Sequence, residues 1–158
     1  MSEVARLVDQ FERAMDDGPW HGDPVLEILS RVTFEQADRK PSNDAHSIRE
    51  IVRHMTAWTH EVRNRMNGAV AAEPPGGDWP QASGTGEAAW RAEVAALKAA
   101  NDAIIADLQA LDEPRLLEPI NDARFDDGKG VTRYVLLHGL VQHHAYHSGQ
   151  VAILSRIC

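Results

Sequence analysis

The sequence predicts an all-α fold, a four-helix bundle with an extra short helical segment after the first helix. Three observations carry that prediction. Apolar residues recur at i, i+3, i+4 and i+7 in four separate stretches, the spacing of one buried face on a helix. Breaks rich in proline and glycine separate the stretches, and no succession of alternating strands lies between them. The length of 158 residues suits one domain, residues 1–158, able to bury roughly 70% of the surface of its unfolded chain.

The first helix is expected over residues 3–16, where Val4, Leu7, Val8, Phe11 and Met15 form the apolar stripe and Gly18-Pro19 ends it. A short segment follows, with Asp23 as its expected cap, Pro24 at its first position and Val25, Leu26, Ile28, Leu29 and Val32 on its apolar side. Thr33 with Gln36 then makes a capping-box pattern for one or two turns before Pro41. The second long helix starts at Ser47, whose hydroxyl and the Glu50 side chain can cap each other's backbone N–H groups. Ile48, Ile51, Val52, Met55, Trp58, Val62 and Met66 supply its stripe, and Gly68 its stop. Residues 69–86, with three prolines and four glycines, are expected to be irregular. Extended at about 3.3 Å per residue, they can recross a bundle roughly 30 Å long.

The third long helix is expected from Glu87 to Leu111, with Trp90, Val94, Leu97, Ile104, Ile105 and Leu108 on one side and Asn101 at the margin of that stripe. A second irregular stretch, 112–130, includes Asp127-Gly128, a pair able to turn a short hairpin. The last helix begins near Thr132. Its apolar residues (Leu136, Leu137, Leu140, Val141, Val151, Leu154) cover so much of its circumference that it is expected to be the most buried of the four.

Composition narrows the function. Sixteen Lys and Arg against 24 Asp and Glu leave a formal charge of −8, with no basic cluster, which argues against nucleic acid and anionic membrane as partners. The N-terminal residues are acidic and helix-patterned rather than basic and then apolar, so a cytoplasmic protein is expected. The single cysteine, Cys158, rules out an intramolecular disulfide and a cysteine-based zinc finger.

Histidine is the exception to this bland composition. Four of the eight, His138, His143, His144 and His147, fall within residues 138–147. Residues four apart on a helix project side by side, so His143 and His147 form a two-armed clamp for a metal ion, while His144 leaves the axis about 100° away. H-x-x-x-H is also the pairing of zinc proteases, but the glutamate that would follow the first histidine is here His144. His54 lies among Ile51, Val52, Met55 and Trp58, on or beside the stripe facing the interior, where an imidazole needs a hydrogen-bond partner or a metal. Three imidazoles from two facing helices would make an open metal site. The spacing alone also fits histidines that simply pack in the core. His46 is expected to be exposed before the Ser47 cap, His60 and His138 to lie on helix surfaces or boundaries, and His144 to be a core or interface residue. His21, in a loop beside Trp20, and Trp58, one turn beyond His54, are candidates to line a cavity; Tyr146 and Gln150 are candidates to orient a ligand imidazole or a water. No Asp or Glu stands out as a general base.

The segment S-I-x-E-I-V-x-H-M-x-x-W (Ser47 to Trp58), together with H-H-A-Y-H-S-G-Q-V-A-I-L (His143 to Leu154), resembles the DinB/YfiT-like superfamily of metalloenzymes. The resemblance spans nearly the whole chain. It implies an up-down-down-up bundle with the second and third helices parallel, and a divalent metal ion, zinc or nickel, held by His54, His143 and His147. It also implies a small-molecule substrate. Two activities are compatible with it: transfer dependent on a low-molecular-weight thiol, and hydrolysis by metal-activated water. A non-enzymatic metal- or ligand-binding bundle is the reading from another class. A homodimer is compatible with the long apolar helices, although no seam is legible in them.

Overall fold

The structure, a computed structural model, describes residues 1–42, 45–126 and 128–158. Four long helices form the bundle: α1 (Glu3–Met15), α4 (Ile48–Met66), α5 (Gly86–Gln109) and α6 (Arg133–Ile157). Two short helices, α2 (Val25–Ser30) and α3 (Phe34–Asp38), sit between α1 and α4. A 3₁₀ turn (Glu113–Leu117) and two antiparallel strands, β1 (Pro119–Asn121) and β2 (Lys129–Thr132), connect α5 to α6. Of the dipeptide expected to turn this hairpin, Asp127 lies outside the described residues and Gly128 has a positive φ of 67°. Gly130 is required by packing, since a Cβ there would meet Ile120 and Asp122 side-chain atoms at 2.7 Å.

Local chemistry sets most helix starts. Ser2, Thr33, Ser47 and Thr132 each accept from a first-turn backbone N–H, and Thr33–Gln36 and Ser47–Glu50 are complete capping boxes. The cap expected from Asp23 does not form. Pro24, whose ring has no polar atom, is the N-cap of α2, and the Asp23 carboxylate turns to Arg31 at 2.5 Å.

Side-chain pairs define the directions. Arg49 reaches Glu93 and Arg63 reaches Asp107, a step of 14 residues on both α4 and α5, so these helices run parallel. Arg133 donates to the Met66 carbonyl while His54 meets His143, so α6 runs against α4. The N–H of Glu3 binds Glu113 just beyond α5, and Asp16 interacts with Lys98, so α1 runs against α5. The bundle is therefore up-down-down-up.

The core is split in two. One apolar cluster gathers Leu29, Val52, Met55, Trp90, Leu97 and Val151, and the other Leu7, Phe11, Val62, Ile104, Leu108 and Leu137. Along α6 the stretch His143–Ser148 lies between them. The most buried long helix is α4, with eleven of its 19 residues buried, rather than α6, with eight of its 25. The expectation failed because circumferential hydrophobicity does not require circumferential packing: Val135, Tyr146, Ile153 and Ile157 follow one outer line of α6 and remain exposed. Asn101 is not at a margin either. It is 2% exposed, and its buried Oδ1 has no partner among the described residues.

Candidate metal centre

His54 on α4 and His143 and His147 on α6 bring three imidazoles together, with one ligand atom from each lying within 4.8 Å of the others. The ring centroids are 4.4–5.0 Å apart. Antiparallel packing is what joins the one-histidine helix to the two-histidine clamp.

Hydrogen bonds decide which nitrogens face inward. His54 Nδ1 lies 2.8 Å from the carbonyl oxygen of Asp78, which can only accept, so Nδ1 donates to it and Nε2 is left facing His143. Gln150 Oε1 does the same for His147 Nδ1 at 2.6 Å. The Nε2 atoms of His54 and His143 stand 2.9 Å apart, and His143 Nδ1 is buried without a partner. Burial, reinforced by the neighbouring imidazoles of His147 and His54, pushes the His143 pKa down to about 3. Burial also lowers that of His147, more than the Gln150 hydrogen bond raises it. His143 at neutral pH is thus an uncharged lone-pair donor. Three imidazoles converging on one point, two of them oriented by carbonyl oxygens, fit a borderline-soft divalent cation.

The chain between α4 and α5 completes the site. Because these helices are parallel, their connection must return the full length of α4, and its contacts step backwards along that helix. Ala72 binds Glu61 and Arg65, Asp78 binds Trp58 and His54, Pro80 binds Arg53, and Gly84 binds Arg49. Midway along this strap, Trp79 stacks on His54 with centroids 4.1 Å apart, and His46 stacks on the other face of Trp79 at 3.4 Å. The indole covers one face of the imidazole of His54, a residue 6% exposed. Asp78 and Trp79 were missed by sequence reasoning; the signal was an Asp-Trp-Pro inside a stretch otherwise of small and turn-forming residues.

The remaining candidates separate. Trp58 donates from Nε1 to Asp78 Oδ1 at 2.7 Å and so braces the residue that orients His54. Tyr146 is 66% exposed, with its ring 5.1 Å from that of His147. His21 is exposed and borders a groove of about 750 Å³ between α2 and α6 that is not lined by any of the three clustered histidines. His144 is wholly buried in the core, with Nε2 3.1 Å from Thr59 Oγ1, its ring edge-on to Phe11 and its pKa pushed down by burial to about 3. The exposure expected for His46 is corrected to half-burial, because Trp79 covers its ring face.

Geometry and fold define a helical bundle with a three-histidine centre. The DinB superfamily profile matches residues 20–151, and the chain belongs to that superfamily. It is similar in structure to a conserved protein from Enterococcus faecalis (19% identity, TM-score 0.72, covering 99% of this chain and 97% of that one). It is also similar to a DinB-like protein from Bacillus subtilis (20% identity, TM-score 0.68, 96% and 90% covered). A third similar structure is a DinB-like protein from Bacillus cereus (16% identity, TM-score 0.63, 84% and 81% covered). No curated protein matches the chain.

Proposed function

We propose that this chain is a metal-dependent enzyme in which His54, His143 and His147 hold one divalent ion, zinc or nickel, and that it transfers groups to or from a low-molecular-weight thiol. The observation that carries the reading is the cluster of three imidazoles, two of them oriented by Asp78 and Gln150, with no fourth His, Cys, Asp or Glu grouped with them among the described residues. A site with three protein ligands leaves positions for a small molecule, the layout of catalytic rather than structural centres. When bound, the ion would lower the pKa of a coordinated thiol so that it is a thiolate at neutral pH. The protein's part is then to orient and to exclude water. Asp78 and Gln150 fix two rings, and Trp79 shields the His54 side. In the transfer, the thiol proton leaves to solvent, sulfur forms a bond to an electrophilic carbon, and the leaving group departs with its electron pair. No carboxylate is required as a base, which agrees with a cluster built from imidazoles.

Cobalt substitution tests this. A small thiol should shift the visible absorption of the cobalt protein, and metal analysis should find about one ion per chain. A spectrum indifferent to every biological thiol, combined with ester or amide cleavage, would replace transfer by hydrolysis. Failure to take up any divalent ion would remove the enzyme reading altogether.

A further inference from the structure

Beside His147, α6, Trp79 of the strap, Ile51 of α4 and the Ala45–His46 segment line a cleft of about 480 Å³. His147 and Trp79 form its inner side; Ile51, Tyr146, Ile153 and Leu154 form much of the remainder. Among the described residues, no Lys, Arg, Asp or Glu lines it, in a chain where a quarter of the residues are charged. Gln150 is its one amide, and the Oε1 of that amide is committed to His147 Nδ1. The larger groove that carries His21 is the opposite case, lined by Arg31, Arg156 and Asp23 and by none of the three imidazoles.

From this we infer that the cleft is the substrate subsite beside the metal centre, and that it takes an uncharged, apolar substituent, an aromatic ring or branched alkyl group attached to the atom that reaches the three histidines. The inference rests on the three-histidine reading for the position of that atom. The volume lies within the range of small-molecule sites, and an apolar wall with few polar groups is what such sites present. Trp79 has a double role in this arrangement: its faces are held by His46 and His54, and the part of its surface left in the cleft offers a bound ring an apolar contact rather than a further stacking face. A carboxylate or ammonium at the same place would lose hydration and meet no Lys, Arg, Asp or Glu among the described lining residues, and the one imidazole there besides His147, that of His46, already faces Glu50 at 3.4 Å.

The test uses the full chain loaded with cobalt and three thiols: benzyl mercaptan, 2-mercaptoethanol and mercaptosuccinate. Benzyl mercaptan should bind about tenfold or more tightly than 2-mercaptoethanol, from the burial of one ring, and mercaptosuccinate no better than 2-mercaptoethanol. Ile153→Asp, a change at a position 62% exposed, should abolish the preference for benzyl mercaptan while leaving cobalt uptake intact. Equal affinities for the three thiols, or a preference for mercaptosuccinate, would overturn the inference with the metal reading still standing. If cobalt does not bind, the metal reading fails, and the cleft is judged on the metal-free protein with benzyl alcohol. Resonance shifts confined to Trp79, Tyr146 and Ile153 would then keep the apolar subsite, and shifts elsewhere or none would remove it. Should light scattering find a dimer that Ile153→Asp dissociates, with no benzyl ligand bound, the wall is an interface with a second copy and not a substrate subsite.

Discussion

Two of the three clustered imidazoles are each held by an acceptor that has no proton to give, and this is where single substitutions should be most informative. Replacing His54, His143 or His147 by Ala removes one donor, and each change should lower zinc or nickel affinity at least about tenfold, or about 1.4 kcal/mol, in competition with a chromophoric chelator. His144→Ala should leave that affinity near the parent value, since its Nε2 is engaged with Thr59 and its ring points into the core. Gln150→Ala removes the acceptor on His147 Nδ1 and should weaken metal binding by roughly ten- to a hundredfold without removing a ligand. A residue far from the centre carries a pH signature. The Arg124 hydrogen bond holds the Asp122 pKa at about 2, below the usual value of about 3.9. A depressed carboxylate contributes stability that is complete above the unfolded value and is lost as pH falls towards the folded one. Asp122 should therefore titrate near pH 2 by carboxyl-carbon NMR, and Arg124→Ala should move its midpoint upward.

At the scale of elements, a buried ion pair ties α4 to α5 beside the start of α4. Arg49, 2% exposed, donates to both carboxylate oxygens of Glu93 at 2.8 Å and to the Gly84 carbonyl at the end of the strap. Arg49→Ala would leave Glu93, whose side chain is 11% exposed, with the looser Arg53 contact at 3.5 Å in place of a two-pronged pair, and should cost about 3 kcal/mol in denaturant unfolding. Ser47→Ala removes half of the capping box that starts α4 and should cost about 1 kcal/mol. The strap itself can be separated from its length. A Gly/Ser linker of equal length in place of residues 69–85 still spans α4, so helicity by circular dichroism should persist. Metal affinity should fall, because the Asp78 carbonyl and the Trp79 indole no longer meet His54.

Over the whole molecule, the centre joins α4 to α6 between two apolar clusters, so a bound ion would add a link to the Arg133–Met66 and Thr59–His144 hydrogen bonds that already join these helices. An ion that binds the folded chain and not the unfolded one stabilises by mass action, about 2.7 kcal/mol at a hundred times its Kd. The metal-loaded protein should therefore melt several degrees higher than the chelated protein, and the three ligand variants should lose most of that gain while His144→Ala keeps it. Calorimetry with and without chelator measures this directly. No helix among the described residues is long and apolar enough to cross a membrane.

Helical periodicity, the Ser47–Glu50 and Thr33–Gln36 capping boxes and the Pro/Gly breaks were enough to place four long helices within a few residues of where they lie, because those signals act over one or two turns. The pairing of His143 with His147 is equally local, a consequence of 3.6 residues per turn. What lies between helices was not legible. Hydrophobicity around α6 could not tell which side would be covered, so its outer line of Val135, Tyr146, Ile153 and Ile157 and the deeper burial of α4 emerged only with packing. Nor could composition show that residues 69–85 lie along α4 rather than away from it. By itself, the sequence determined the helices and the two-armed clamp, whose causes lie within a few residues of each other. Only the tertiary structure decided that the connection between α4 and α5 carries Asp78 and Trp79 onto His54, because those contacts join residues more than twenty positions apart and exist only once the helix directions are set.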